Sequence, residues 1–188
     1  MTAVLAVLAA AAAGGFRLAL PLLLILVLRR EDTWEQTPVL GQFSPALVLG
    51  TLAAGAVWEL VAPLHAWGLR LVQPLQVLLS PLVGWLIGVM TAQVMGLPAG
   101  LHALMGCVGG ALALLLQLVQ TGWLYRRGRF PAWVGLAQDG LCALLTVFAL
   151  QAPTQGGLIA LMLMWLALRA AKAWQQQFRR HRRSQGPD

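Results

Sequence analysis

The chain reads as an all-α, polytopic transmembrane bundle of about six spans, and three observations lead there. Hydrophobic residues make up 59% of its 188 residues and charged ones only 10%, against roughly 25% charged in ordinary globular domains. Spans of about 20 residues use up nearly all of that length. The domain reading is therefore one transmembrane domain over 1–175 and a basic cytoplasmic tail over 176–188. Third, three apolar stretches hold one charge each, Arg17, Glu59 and Asp139. A charge near the centre of a spanning helix costs about 2.5–3.5 kcal/mol on insertion scales, so such residues turn towards one another or a wet cavity.

The first helix is expected over Ala3 to Leu28, closed by Arg29 and Arg30. No basic residue precedes Arg17 and the apolar run is long, which argues against a cleaved signal peptide. The second helix runs Ser44 to Leu64, entered by a serine cap and a first-turn proline, Pro45. From His65 to Ser80 the polar residues Arg70, Gln73, Gln76 and Ser80 share one helical face. That pattern suits a helix lying in the interface, with a re-entrant hairpin bent at Pro74 and Pro81 as the alternative. A third span over Pro81 to Gly96 joins a fourth, Ala99 to Tyr125, through Gly96-Leu97-Pro98. The fifth occupies Pro131 to Leu150, and the sixth starts at Gly157 and continues as an exposed helix towards Arg183.

Orientation follows from the basic residues, which carry most of the net charge of +7. Arg126, Arg127 and Arg129 flank one short loop, and Arg179, Arg180, Arg182 and Arg183 follow the last span. Both clusters should be cytoplasmic, in a bacterial inner membrane or an equivalent internal one. A basic end directly after an apolar helix marks a membrane surface rather than a nucleic-acid site, and it offers anionic lipid headgroups a partner. Trp123, Tyr125, Trp133 and Trp174 sit where interfacial aromatics belong. Counting back over six spans puts the N-terminus inside; a crossing by His65–Ser80 would put it outside.

The charges lie on faces of small residues. Thr51, Gly55 and Glu59 align on the second helix, and Gly135, Asp139, Ala143 and Thr146 on the fifth, with space expected around Asp139. On the fourth, His102, Gly106, Gly110, Ala113, Gln117 and Gln120 form one stripe, and Gly84 and Gly88 pair at the same spacing on the third. Small residues let backbones approach, so these faces should point into the bundle, with Gly84, Gly88, Gly106 and Gly110 packing helices. At about 1.5 Å per residue, Glu59 and Asp139 lie about 8 and 12 Å below one surface and Arg17 about 18 Å from the end of its helix. One cation thus meets two carboxylates, and which acid pairs with Arg17 stays open. A weak echo between Ala13–Leu20 and Ala99–Leu104, each followed by an acid, suggests two inverted three-helix repeats.

The segment Gly15-Phe16-Arg17-Leu18-Ala19-Leu20-Pro21-Leu22 resembles the G-[LF]-R-x-x-x-P-L opening of a family of small bacterial polytopic membrane proteins of unknown function. That family's glutamate late in the second span is matched by Glu59, and its later acidic pair in part, by Gln138-Asp139. Ala62, Pro63 and Leu64 stand where members carry a further acid. The resemblance implies a shared fold and lends weight to Arg17, Glu59 and Asp139. It implies no activity.

No H-E-x-x-H helix, G-x-S-x-G elbow or phosphate-cradling glycine loop is present, and His65, His102 and His181 are dispersed. Cys107 and Cys142 lie in apolar runs without metal-ligand spacing. The expectation is therefore no enzyme, no cofactor and no metal. Arg17, Glu59, Asp139, His102 and Gln117 are instead the candidates for a polar seam that carries a small solute, an ion or a lipid headgroup. The alternative is a scaffold or assembly subunit whose charges are static, with a second copy or another membrane protein on its glycine faces.

Overall fold

A computed structural model describes residues 1–28, 42–61, 66–127 and 132–184, with side chains placed for 1–28, 42–61, 74–123 and 133–173. Arg29, Arg30 and the acids Glu31, Asp32 and Glu35 lie outside the described residues, as do the side chains of Arg70, Gln73, Trp174 and the tail arginines. The described chain is helical in seven elements: α1 (Thr2–Phe16), α2 (Ala19–Leu28), α3 (Pro45–Val61), α4 (Ala66–Val94), α5 (Ala99–Arg127), α6 (Ala132–Gln151) and α7 (Pro153–Ser184). Four stretches are long and apolar enough to cross a membrane: Pro74–Val94, Ala99–Trp123, Trp133–Gln151 and Pro153–Ala173. The chain fits a polytopic, membrane-embedded helical bundle.

Its axis is the alanine-rich α1. Ala9 to Ala13 are wholly buried, and α1 packs on α4, α5, α6 and α7 at once. Only a helix with a very thin side-chain sheath lets four neighbours come so close.

The single first helix of the sequence reading is broken. Pro21 has no N–H to offer the Arg17 carbonyl, and its ring crowds that carbonyl, so a continuous helix through this point is penalised. Arg17 takes an extended conformation (φ −141°, ψ 141°) after its N–H closes α1 on the Ala13 carbonyl at 3.2 Å. The chain then doubles back. Leu22, Ile25 and Leu26 of α2 share a buried cluster with Ala9 and Ala10 of α1, Met90 of α4 and Ala149 of α6. α3 descends beside α2, with Val48 in that same cluster and Glu59 at the break. α1 and α2 are thus an inserted hairpin with its tip at Arg17–Leu18.

This hairpin stands where the first of the six crossings was expected. After it, α3 to α7 run alternately down and up, and α3, at 17 residues, is about 26 Å long. The start of α1 lies level with two connections: Val7 packs with Ala92, Leu97 and Met105, while a Cβ on Gly156 would meet that of Ala9 at 3.0 Å. With single cysteines replacing Thr2, Gln155 or Lys172 in a chain lacking Cys107 and Cys142, Thr2 and Gln155 are expected to label from one side of the membrane and Lys172 from the other. Labelling of Thr2 together with Lys172 would show that the first apolar stretch crosses.

Nor is His65–Ser80 a separate interfacial helix or a bent hairpin. α4 runs unbroken from Ala66 through Pro74 and Pro81 to Val94. Proline inside a helix costs about 3 kcal/mol or more. Here the close pairing of α4 with α5, the most extensive among the described helices, outweighs that cost. A Cβ on Gly84 would stand 2.7 Å from the Gly109 carbonyl, and one on Gly88 2.6 Å from that of Met105. The backbones touch. At the top of α4, Gly96 (φ +67°) lets the Leu97 N–H reach the Ala92 carbonyl at 3.0 Å, a glycine-terminated helix end completed by Pro98.

The proposed inverted repeat is not seen in the helices. Its first member would be the broken α1–α2 and its fourth the continuous α5. The last helix also begins at Pro153 rather than Gly157, since proline suits a first helical position. It continues past its apolar part to Ser184 without a break, and Arg169 lies 5.4 Å over the Trp165 ring.

A polar lock at the tip of a buried hairpin

A helix broken inside an apolar bundle leaves carbonyls at the end of one half and N–H groups at the start of the other without partners. Such backbone is tolerated at membrane depth only when protein groups or a wet cavity satisfy it. Here side chains from three neighbouring helices do so.

Glu59 of α3 caps α2. Its Oε1 accepts the Leu18 N–H at 3.1 Å and its Oε2 the Ala19 N–H at 3.4 Å. The carboxylate therefore sits where the helix dipole favours an anion. Gln76 of α4 lines the same cavity as this carboxylate, and Gln117 of α5 donates to Gln76 Oε1 at 3.3 Å. Gln120 donates to the Gly15 carbonyl at 3.4 Å, and the Cys142 thiol to that of Ala13 at 3.4 Å.

Arg17 ties the tip to two helices. Its Nε donates to Asp139 Oδ1 at 2.5 Å, with both side chains nearly buried, at 9% and 14% exposed. Its Nη1 donates to the Glu59 main-chain carbonyl at 2.7 Å, one of the last four of α3 and so without a helical partner. Asp139 is thus the ion-pair partner, and Glu59 holds the backbone instead. Gly135, one turn from Asp139, faces the guanidinium.

The expected constellation is not assembled whole. His102 is at the other end of the bundle, where its Nε2 lies 2.8 Å from the Leu97 carbonyl. It serves the connection after α4, because that turn leaves a carbonyl within reach of the first turn of α5. Gln117 does join the lock, through Gln76. The polar face of Gln76 suits an interfacial helix equally well by spacing, which conceals its place at the lock. Gln76, Ser80, Gly84 and Gly88 recur at steps of four, which already describes one face of one helix. Nothing in the sequence signals the Leu18 and Ala19 amides beyond Pro21 itself.

Free space beside the lock adjoins Glu59. A cavity of about 250 Å³ lies between α2, α3 and α4, with Thr51, Gly55 and Glu59 along one wall and Leu22, Leu79 and Gln76 among the others. α3 makes its main contact with α2 and leaves the gap towards α4. Among the described residues no group of three His, Cys, Asp or Glu side chains is placed to hold a metal ion.

A family model described as a domain of unknown function (DUF4126) matches residues 4–173. No curated protein and no solved structure matches the chain.

Proposed function

The chain belongs to that family, and from this premise we propose that it is a membrane carrier for a small solute or ion, gated at the α1–α2 tip. One observation carries the reading: a helix is interrupted inside the bundle, its two ends are held by side chains, and a cavity adjoins the holding carboxylate. Carrier sites are commonly built at such half-helix ends, where the N-terminus receives an anionic group. In this chain Glu59 already occupies that seat. A solute or ion that takes over the Glu59 carboxylate frees the Leu18 and Ala19 amides and loosens the tip, which couples occupancy to movement. On this reading the ends of α5 and α7 lie in the cytoplasm, which the basic residues Arg126, Arg127, Arg179 and Arg180 support.

Purified protein in liposomes, screened for proton-linked, cation and anion fluxes, tests the proposal. Wild-type protein should carry at least one of them, and Glu59→Gln should abolish that flux while the protein stays folded and inserted. A second reading, a static scaffold, is supported by how fully Arg17, Glu59 and Asp139 are engaged. It is preferred if the wild type carries nothing across the panel and Glu59→Gln acts only by lowering accumulation.

A further inference from the structure

We propose that the cavity between α2, α3 and α4 binds one alkyl chain of an amphiphile whose hydrogen-bond-donating, cationic head reaches Glu59. The inference concerns binding at equilibrium and stands apart from whether any solute is carried.

The shape of the space comes first. At about 250 Å³ the cavity falls just below the roughly 300–1,000 Å³ of sites for drug-sized ligands, so it admits one chain, and any second tail of a lipid stays outside it. Its body is aliphatic, with Leu22, Leu52, Leu75, Leu79 and Val83 around it. An aliphatic body of this kind accepts apolar guests. Trp58 lines it and is 60% exposed, beside the exposed Val57, Leu60 and Val61 of α3. The mouth therefore opens on an apolar outer face, where lipid chains are the surrounding solvent.

The polar end decides the head. A carboxylate offers about four acceptor positions; the Leu18 N–H and the Ala19 N–H occupy two. A donor from a ligand fits one of those left. Charge points the same way. Among the described residues at the lock, Arg17 faces both Asp139 and Glu59 and pairs directly with Asp139 alone. A cationic group at Glu59 balances the second acid, whereas a head that carries only a carboxylate or phosphate meets it as a like charge. The chemistry is that of a long-chain primary amine, free or as the aminoethyl head of a bilayer lipid.

Photolabelling tests this on the full-length protein in detergent, with dodecylamine bearing a terminal diazirine as the probe. Saturable labelling of Leu22, Leu52 or Leu79 is expected, displaced by dodecylamine and at least about tenfold less well by laurate. Leu52→Trp fills the cavity without touching Arg17 or Glu59 and should remove the labelling. Glu59→Gln should erase the preference for amine over laurate. Competition by phosphatidylethanolamine vesicles identifies a bilayer lipid as the source, and competition by dodecylamine alone a free amphiphile. Equal competition by laurate, or unsaturable labelling spread over Leu47, Val57 and Leu60, overturns the proposal. If Leu52→Trp fails to fold, the laurate comparison and Glu59→Gln decide the matter by themselves.

Discussion

Arg17→Ala is expected to cost about 3–5 kcal/mol, the range found when one partner of a buried ion pair is removed. The loss has two parts. Asp139 is left as a nearly buried carboxylate without its cation, and the Glu59 main-chain carbonyl loses the only hydrogen bond described for it. Because the two parts arise from different atoms, they can be separated. Adding Asp139→Asn to Arg17→Ala should recover part of the loss, since the orphaned charge is gone. Adding Glu59→Gln should recover none, because the side chain of Glu59 serves the Leu18 and Ala19 amides rather than the guanidinium. Arg17→Lys should keep one contact and lose the other, as an ammonium lacks the planar fork that reaches Asp139 and the carbonyl together. Thermal unfolding of the purified variants in one detergent supplies the measurement. Equal recovery with both acids would mean that Arg17 does not distinguish them.

The second large effect is expected at the α4–α5 contact. Gly88→Leu places a Cβ 2.6 Å from the Met105 carbonyl, and Gly84→Leu one 2.7 Å from the Gly109 carbonyl. In both cases the obstacle is backbone, which cannot rotate aside as a side chain can. Overpacking costs about 1–3 kcal/mol where side chains can adjust; here the helices must part along their length, so the loss should exceed that range. The parting also pulls Gln76 on α4 away from Gln117 on α5. Gly100→Ala and Gly140→Ala are the controls, with nothing within 4 Å of the added Cβ. They should change stability little, or raise it by up to about 1 kcal/mol through better helix propensity. Unfolding of Gly88→Leu within error of these controls would refute the close packing of α4 on α5.

Helical class and membrane embedding are legible in composition and patterning alone, because a bilayer admits few ways to satisfy the backbone. The inward faces of small residues around Glu59 and Asp139 could likewise be read from spacing. The glycines of α4 and α5 were legible by the same periodicity, yet the length of α4 was not. Pro74 and Pro81 carry a strong local signal against a continuous helix, and only the contact with α5, a partner distant in sequence, overrides it.

Local chemistry names the groups that any fold of this chain must accommodate: three charges in apolar stretches, one proline four residues after Arg17, and an alanine run with no side-chain bulk. Each follows from chemistry local to a few residues. How they combine depends on contacts between segments distant in the chain. The first apolar stretch is long enough to cross a membrane as easily as to fold back, and hydropathy is blind to the difference. The cluster joining Leu22, Ile25 and Leu26 to Ala9, Ala10 and Met90 selects the hairpin. The assignment of the two acids has the same origin. Glu59 and Asp139 carry the same charge and share a layer, so no property of either side chain sends one to Arg17 and the other to the amides of α2. The end of α3 brings Glu59 to the break and α6 brings Asp139 to the guanidinium, and pairing follows from which atoms the packed helices place within reach.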